Sequence, residues 1–234
     1  MKSLPLLLAL AASAFAADPV DLFNGKDVTG WKPPTGTWTA VKEVKVDPAN
    51  EKAFLSEPGT GVLLNTNGGK TVDIISSAVF GDCELHVEFC VPKGSNSGIY
   101  LQGRYEVQVM DSFGKTDFAE HDCGAIYQRW DTARGKGKEG YEGHPPKVNA
   151  SKAPGEWQSF DITFRAPRFD ADGKKTANAT FVKVVHNGQV IHENVECNGP
   201  TRGSLFPDEK PTGPIRLQGD HGPVAYRNLK ITTP

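Results

Sequence analysis

The sequence predicts an all-β fold, an antiparallel sandwich of two sheets, and three observations carry that expectation. Strand-like runs recur between Gly, Pro and Asn punctuation. Several of them alternate apolar and polar residues with period two, which sends successive side chains to opposite faces of a sheet. No segment sustains the 3.6-residue apolar period of a helix of three turns.

In chain order the predicted strands are residues 61–64, 83–91, 98–111, 158–165, 179–186, 190–195, 215–218 and 225–231. The second sets Leu85, Val87 and Phe89 against Glu84, His86 and Glu88. The third is the most regular: Ile99, Leu101, Tyr105, Val107 and Val109 share one parity, and Tyr100, Gln102, Arg104, Glu106 and Gln108 the other. Gly103 interrupts it. A bulge there would turn one half over, whereas two separate strands would leave a turn at that point. In "VKVVHNGQVIHENV" the Asn187-Gly188 pair reads as a two-residue type I′ hairpin turn, because both positions tolerate positive φ. Residues 131–154 are rich in Gly, Lys and Pro and lack periodicity, which suits a solvated loop or a lid over a site. Residues 167–175 form a polar connection turning at Asp172-Gly173; their acidic spacing completes no EF-hand loop.

The chain opens MKSLPLLLALAASAFA, with a basic start, a short apolar stretch and a small-x-small end. This is the pattern of a signal peptide over residues 1–16, followed by a single domain over 17–234 that is secreted or periplasmic. The apolar stretch is shorter than the roughly 20 residues a spanning helix needs, and no second such stretch follows, so no membrane partner is expected. With 26 Lys and Arg, dispersed, against 28 Asp and Glu, there is no basic stripe for nucleic acid. An uncharged substrate suits this balance. Export permits disulfides among Cys83, Cys90, Cys123 and Cys197. Cys83 and Cys90 point to opposite faces of one strand and cannot bridge; Cys123–Cys197 leaves either a disulfide or buried free thiols.

The even-numbered face of 98–111 is unusual. Planar polar groups that make paired hydrogen bonds, together with an aromatic ring, are what a sugar requires. Tyr100, Gln102, Arg104 and Gln108 are therefore candidate substrate contacts, with Glu84, His86 and Glu88 extending the same face if the preceding strand lies alongside. Arg227 is expected to reach the same end of the sheet. Glu106 is the candidate base, and His221, between glycines in "GDHGP", the candidate acid or base; both are candidate metal ligands.

Six segments, quoted as they stand, resemble one family: "LFNGKDVTGW", "GDCELHVEFCVPKGSNSGIYLQGRYEVQVMDS", "CGAIY", "NASKAPGEWQSFDITFRAPRFD", "VVHNGQVIHENVE" and "LQGDHGPVAYRNLKI". In order and spacing they are similar to the 3-keto-disaccharide hydrolase domain, which includes 3-keto-glucoside lyases and hydratases. The resemblance implies a concanavalin-A-like jelly roll of two curved antiparallel sheets with a concave sugar-binding face. It implies cleavage of glycosides already oxidised to a ketone at C3, by hydrolysis or by elimination across C1–C2 and hydration. It also implies a divalent metal ion, for which Glu106 and His221 are the candidate ligands. Cys90 and Cys197 depart from ordinary strand residues, and the 131–154 segment is longer and more basic than the motifs require.

Hydrolysis of an ordinary glycoside uses two carboxylates across one bond. The E-x-D-x-(x)-E arrangement of glycosidases with this fold is missing, since Gln108 stands where the middle acid belongs. A ketone at C3 changes the requirement: it acidifies the C2 proton, so one base and one stabiliser of the enediolate suffice. The alternative expectation is a non-catalytic carbohydrate-binding module of the same fold, which needs the polar face and no base.

Overall fold

A computed structural model describes residues 18–234, so the signal-peptide expectation for 1–16 lies outside the described residues. The strands are β1 (Val20–Asp21), β2 (Trp38–Asp47), β3 (Asn50–Asn65), β4 (Ile74–Phe80), β5 (Cys83–Cys90), β6 (Asn96–Leu101), β7 (Tyr105–Met110) and β8 (Arg129–Trp130). After them come β9 (Gly140–Tyr141), β10 (Gln158–Arg165), β11 (Arg168–Phe169), β12 (Lys175–Ala177), β13 (Ala179–His186), β14 (Gln189–Cys197), β15 (Gly213–Leu217) and β16 (Ala225–Thr232). The large sheet runs β14-β13-β10-β5-β16-β3-β2, with β1 also on β16, and the small sheet runs β4-β15-β6-β7. All pairings are antiparallel. The architecture is the jelly-roll sandwich.

The core lies between the inner faces. Leu85, Val87 and Phe89 of β5 and Phe160, Ile162 and Phe164 of β10 meet Ile99, Leu101, Tyr105, Val107 and Val109 of β6 and β7. Each large apolar side chain buried this way contributes about 1.5–3 kcal/mol relative to exposure. Phe89 and Phe160 stack at 4.9 Å, and Phe164 touches both Tyr105 at 5.5 Å and Phe181 at 5.3 Å, so rings knit the two layers together.

The 98–111 run divides at Gly103. Leu101 pairs with Tyr105 across a three-residue turn, in which Gln102 and Gly103 take φ of 55° and 64° and the Arg104 N–H donates to Leu101 O at 3.0 Å. An odd number of turn residues returns the chain with its parity intact, so the whole odd set stays in the core. The Asn187-Gly188 turn forms as expected, with φ of 49° and 80° between paired His186 and Gln189.

Two expectations are corrected, and the open alternative for the cysteines is decided. Strand β5 pairs with β10 and β16, not β6, so Glu84, His86 and Glu88 face outward from the other sheet; there His86 Nδ1 meets Asp161 at 2.6 Å. Residues 131–154 are not featureless: they include β9, paired with β8, and His144 bridges Ile126, which itself bridges Val107 on the edge of β7. The four cysteines are free and buried, and burial pushes each thiol up to about 12.

Candidate active site

Three neighbouring strands of the small sheet build the site on its outward face. Arg216 of β15 lies opposite Tyr100 of β6, which lies opposite Glu106 of β7. One row along, Gly98 lies opposite Gln108, and the Gln218 N–H donates to Gly98 O at 2.9 Å. Gly98 matters for what it lacks: a Cβ there would sit 2.1 Å from Glu106 Oε1. The Glu106 carboxyl lies in that vacated space, beside a cavity of about 280 Å³.

Among the described residues Glu106 is the single carboxylate lining this cavity, alongside Asn96, Gln108, Tyr127, Arg202, Gln218 and His221. Its backbone is held on both sides, the N–H donating to Thr201 Oγ1 at 3.2 Å and the carbonyl accepting from Tyr127 N at 3.1 Å. Only 3% of the residue is exposed. Burial pushes its carboxyl up to about 8, against the Tyr100 phenol and the Arg216 guanidinium, while Asp73 adds to the rise. A carboxyl of that proton affinity exchanges protons near neutral pH, as a general base must.

The cationic groups are separately anchored. Arg216 stacks on the Tyr100 ring at 4.2 Å and donates from Nε to Asp73 Oδ2 at 2.7 Å and from a terminal nitrogen to the Gly203 carbonyl. Arg202 reaches the cavity with its guanidinium 3.7 Å over Trp130. Burial raises the Tyr127 phenol, with Glu106 adding to the rise and Arg202 pulling against it. His221 is half-exposed at the cavity mouth, its Nδ1 paired with Asp220. Asn96 Oδ1 is buried without a partner, an acceptor left open beside the cavity.

Of the residues singled out in the sequence, Glu106, Gln108 and His221 line one cavity. Tyr100 is fully buried behind it, against Glu106 and under Arg216. The other three are elsewhere. Gln102 and Arg104 belong to the β6–β7 turn, which takes them off the strand face: Gln102 Nε2 donates to Phe80 O and Pro211 O, and Arg104 is spent on Asp208 and stacked on Phe206 at 4.5 Å. Arg227 lies on the outward face of the large sheet, donating to Glu88 Oε2 at 2.6 Å and covering Trp157. Residues the sequence reading missed take their places. Arg216 and Gln218 were legible by parity, alternating with Ile215 and Leu217; Arg202 and Tyr127 sit in non-periodic loops and gave no such signal.

A resident metal fits this donor set poorly. Among the described residues no group of three His, Cys, Asp or Glu side chains converges closely enough to hold an ion. The cavity offers one carboxylate, Glu106, and one imidazole, His221, where a catalytic metal centre commonly takes three protein ligands.

Comparison with known proteins agrees with this architecture. A candidate glycosyl hydrolase of Parabacteroides distasonis ATCC 8503 superposes with a TM-score of 0.65 and 32% identity, over 92% of this chain and 83% of that one. A second candidate glycosyl hydrolase from the same organism gives 0.59 at 19% identity, over 92% of this chain and 98% of that one, and shares the fold. No curated protein matches significantly. Residues 18–232 match the model of one family throughout, and the chain belongs to the 3-keto-alpha-glucoside-1,2-lyase-like domain family.

Proposed function

We propose that this chain is an exported carbohydrate-active enzyme that cleaves the glycosidic bond of 3-keto-glucosides by elimination across C1–C2, with Glu106 as the base. The family and the glycosyl-hydrolase neighbour support a carbohydrate-active enzyme. The observation that carries the finer reading is the lone carboxylate: Glu106 is buried, tuned toward neutral pH, and lines the cavity without a second acid. An ordinary retaining or inverting glycosidase needs two.

In this reading the Glu106 carboxylate takes the C2 proton. The C2–H electron pair forms the C2–C3 double bond, and the C3 carbonyl pair moves onto oxygen. The Arg202 guanidinium and the Tyr127 hydroxyl, both lining the cavity, are the donors available to that oxyanion. Return of the electrons makes the C1–C2 double bond and expels the C1 oxygen, which takes a proton from the His221 imidazolium at the cavity mouth. The product is a 2-hydroxy-glycal bearing the ketone; addition of water at C1 gives the free 3-keto sugar and makes the overall change a hydrolysis.

The test compares a 3-keto-glucoside with its unoxidised parent. The expected result is turnover of the first alone, slowed by deuterium at C2 or accompanied by its exchange with solvent. Efficient cleavage of the plain glucoside with C2 untouched would refute the proposal. Binding without turnover of either sugar would favour a carbohydrate-binding module.

A further inference from the structure

We propose that Asp73, through Arg216, is a positioning residue that governs the protonation of Glu106; the inference rests on the role given to Glu106 above. Asp73 precedes β4 and does not line the Glu106 cavity, yet its carboxylate makes two anchoring contacts, one to Arg216 and one to the backbone beyond it. Its Oδ2 accepts from Arg216 Nε at 2.7 Å, while its Oδ1 accepts from the Gly219 N–H at 2.9 Å. That second bond fastens the same carboxylate to the loop carrying His221, two residues on.

The geometry forms a relay of contacts across three strands. Asp73 grips the guanidinium, the guanidinium lies flat on the Tyr100 ring, and the Tyr100 phenol faces Glu106 from the neighbouring strand. The Arg216 side chain is 8% exposed and that of Asp73 20% exposed, so water screens their fields weakly. Arg216 spends its donors on Asp73 and on the Gly203 carbonyl, and no hydrogen bond joins it to Glu106. An unclamped guanidinium on the Tyr100 ring would be a counter-ion for Glu106, holding it ionised and making it a weaker base. Clamped, part of its charge is answered by Asp73.

The groups facing Glu106 from each packed element are Tyr100 from β6, Arg216 from β15, Tyr127 from the segment after β7, Arg202 from the loop after β14 and His221 from the loop after β15. Among the carboxylates around this set, Asp73 reaches it through Arg216 and Asp220 through His221, and of the two it is Asp73 that acts on Glu106. Electrostatics agree in direction: Arg216 pulls the Glu106 proton affinity down and Asp73 pushes it up.

The experiment reads the carboxyl itself, without substrate. Protein carrying 13C at the glutamate side-chain carboxyl is titrated by NMR, the Glu106 resonance being assigned by its loss in Glu106→Gln. Asp73→Asn keeps the shape and the acceptor for Gly219 but removes the charge. The expected result is a fall in the Glu106 midpoint by at least about one pH unit. Arg216→Gln should move it upward, and it decides the matter if Asp73→Asn does not fold. A purely structural Asp73 would lower the melting temperature and leave the midpoint in place, which would overturn the proposal. The same two variants are then assayed on the 3-keto-glucoside. If the carboxyl midpoint moves and the pH limb of kcat/KM does not follow, the clamp stands and the assignment of Glu106 as base falls.

Discussion

Replacing Glu106 by Gln keeps the side-chain volume over Gly98 and removes only the ionisable group, so stability and turnover should part company. Its carboxyl is raised from 4.5 to about 8 by burial, which corresponds to roughly 5 kcal/mol at about 1.4 kcal/mol per tenfold in proton affinity. The sign follows from linkage. Between those values the folded chain binds the proton and the unfolded chain does not, so stability falls as pH rises from about 4.5 and levels off above about 8. Glu106→Gln removes that slope. Urea unfolding at pH 5, 7 and 9 should show near-equal stability at pH 5 and a variant more stable than its parent by about 2–5 kcal/mol at pH 9. Turnover should fall by about 10²–10⁴, the usual cost of losing a positioned base. In the parent, the limb of kcat/KM set by the base should climb with pH as the carboxyl deprotonates toward about 8, because the base works unprotonated. A variant with full activity would make Glu106 structural. A stability difference that stays flat from pH 5 to 9 would refute its buried, proton-holding state.

Three further outcomes are expected. Gly98→Ala drives a methyl group to 2.1 Å from Glu106 Oε1, so it should abolish turnover while circular dichroism stays that of the parent, since the outward face is disturbed and the core is not. Arg202→Gln, which removes a cavity cation stacked on Trp130, should lower kcat by about 10²–10³ with KM changed far less, as for loss of an oxyanion donor; an effect confined to KM would assign Arg202 to ground-state binding. Asp122 is buried with Ser112, Lys115 and the Ala119 N–H as partners, which hold its carboxyl below 3.8 although burial alone would raise it. Asp122→Ala should therefore destabilise by about 3 kcal/mol near neutral pH, with the deficit shrinking in acid denaturation below about pH 3.8, where the parent carboxylate also protonates.

Alternation by itself determined much of this protein. The β10 and β13 strands match the runs read from the sequence residue for residue, the odd set of β6 and β7 is wholly in the core, and Asn187-Gly188 closes its hairpin. These features are local, and a period of two is written in the order of residues. Strand β2 escaped because bulges near Val41 and Glu43 space its buried residues Trp38, Val41 and Val44 three apart. Register decided the rest. Whether β5 lies beside β6, whether Gln102 and Arg104 sit on a strand or in its turn, and whether Arg227 faces the site depend on which edges pair. That choice is made by long-range packing. The candidate base was legible because Glu106 alternates within a clear strand. Its partners were not, because Arg202 and Tyr127 arrive at it from loops far apart in sequence and Asp73 reaches it through Arg216, an arrangement that exists only once the two sheets have closed on their core.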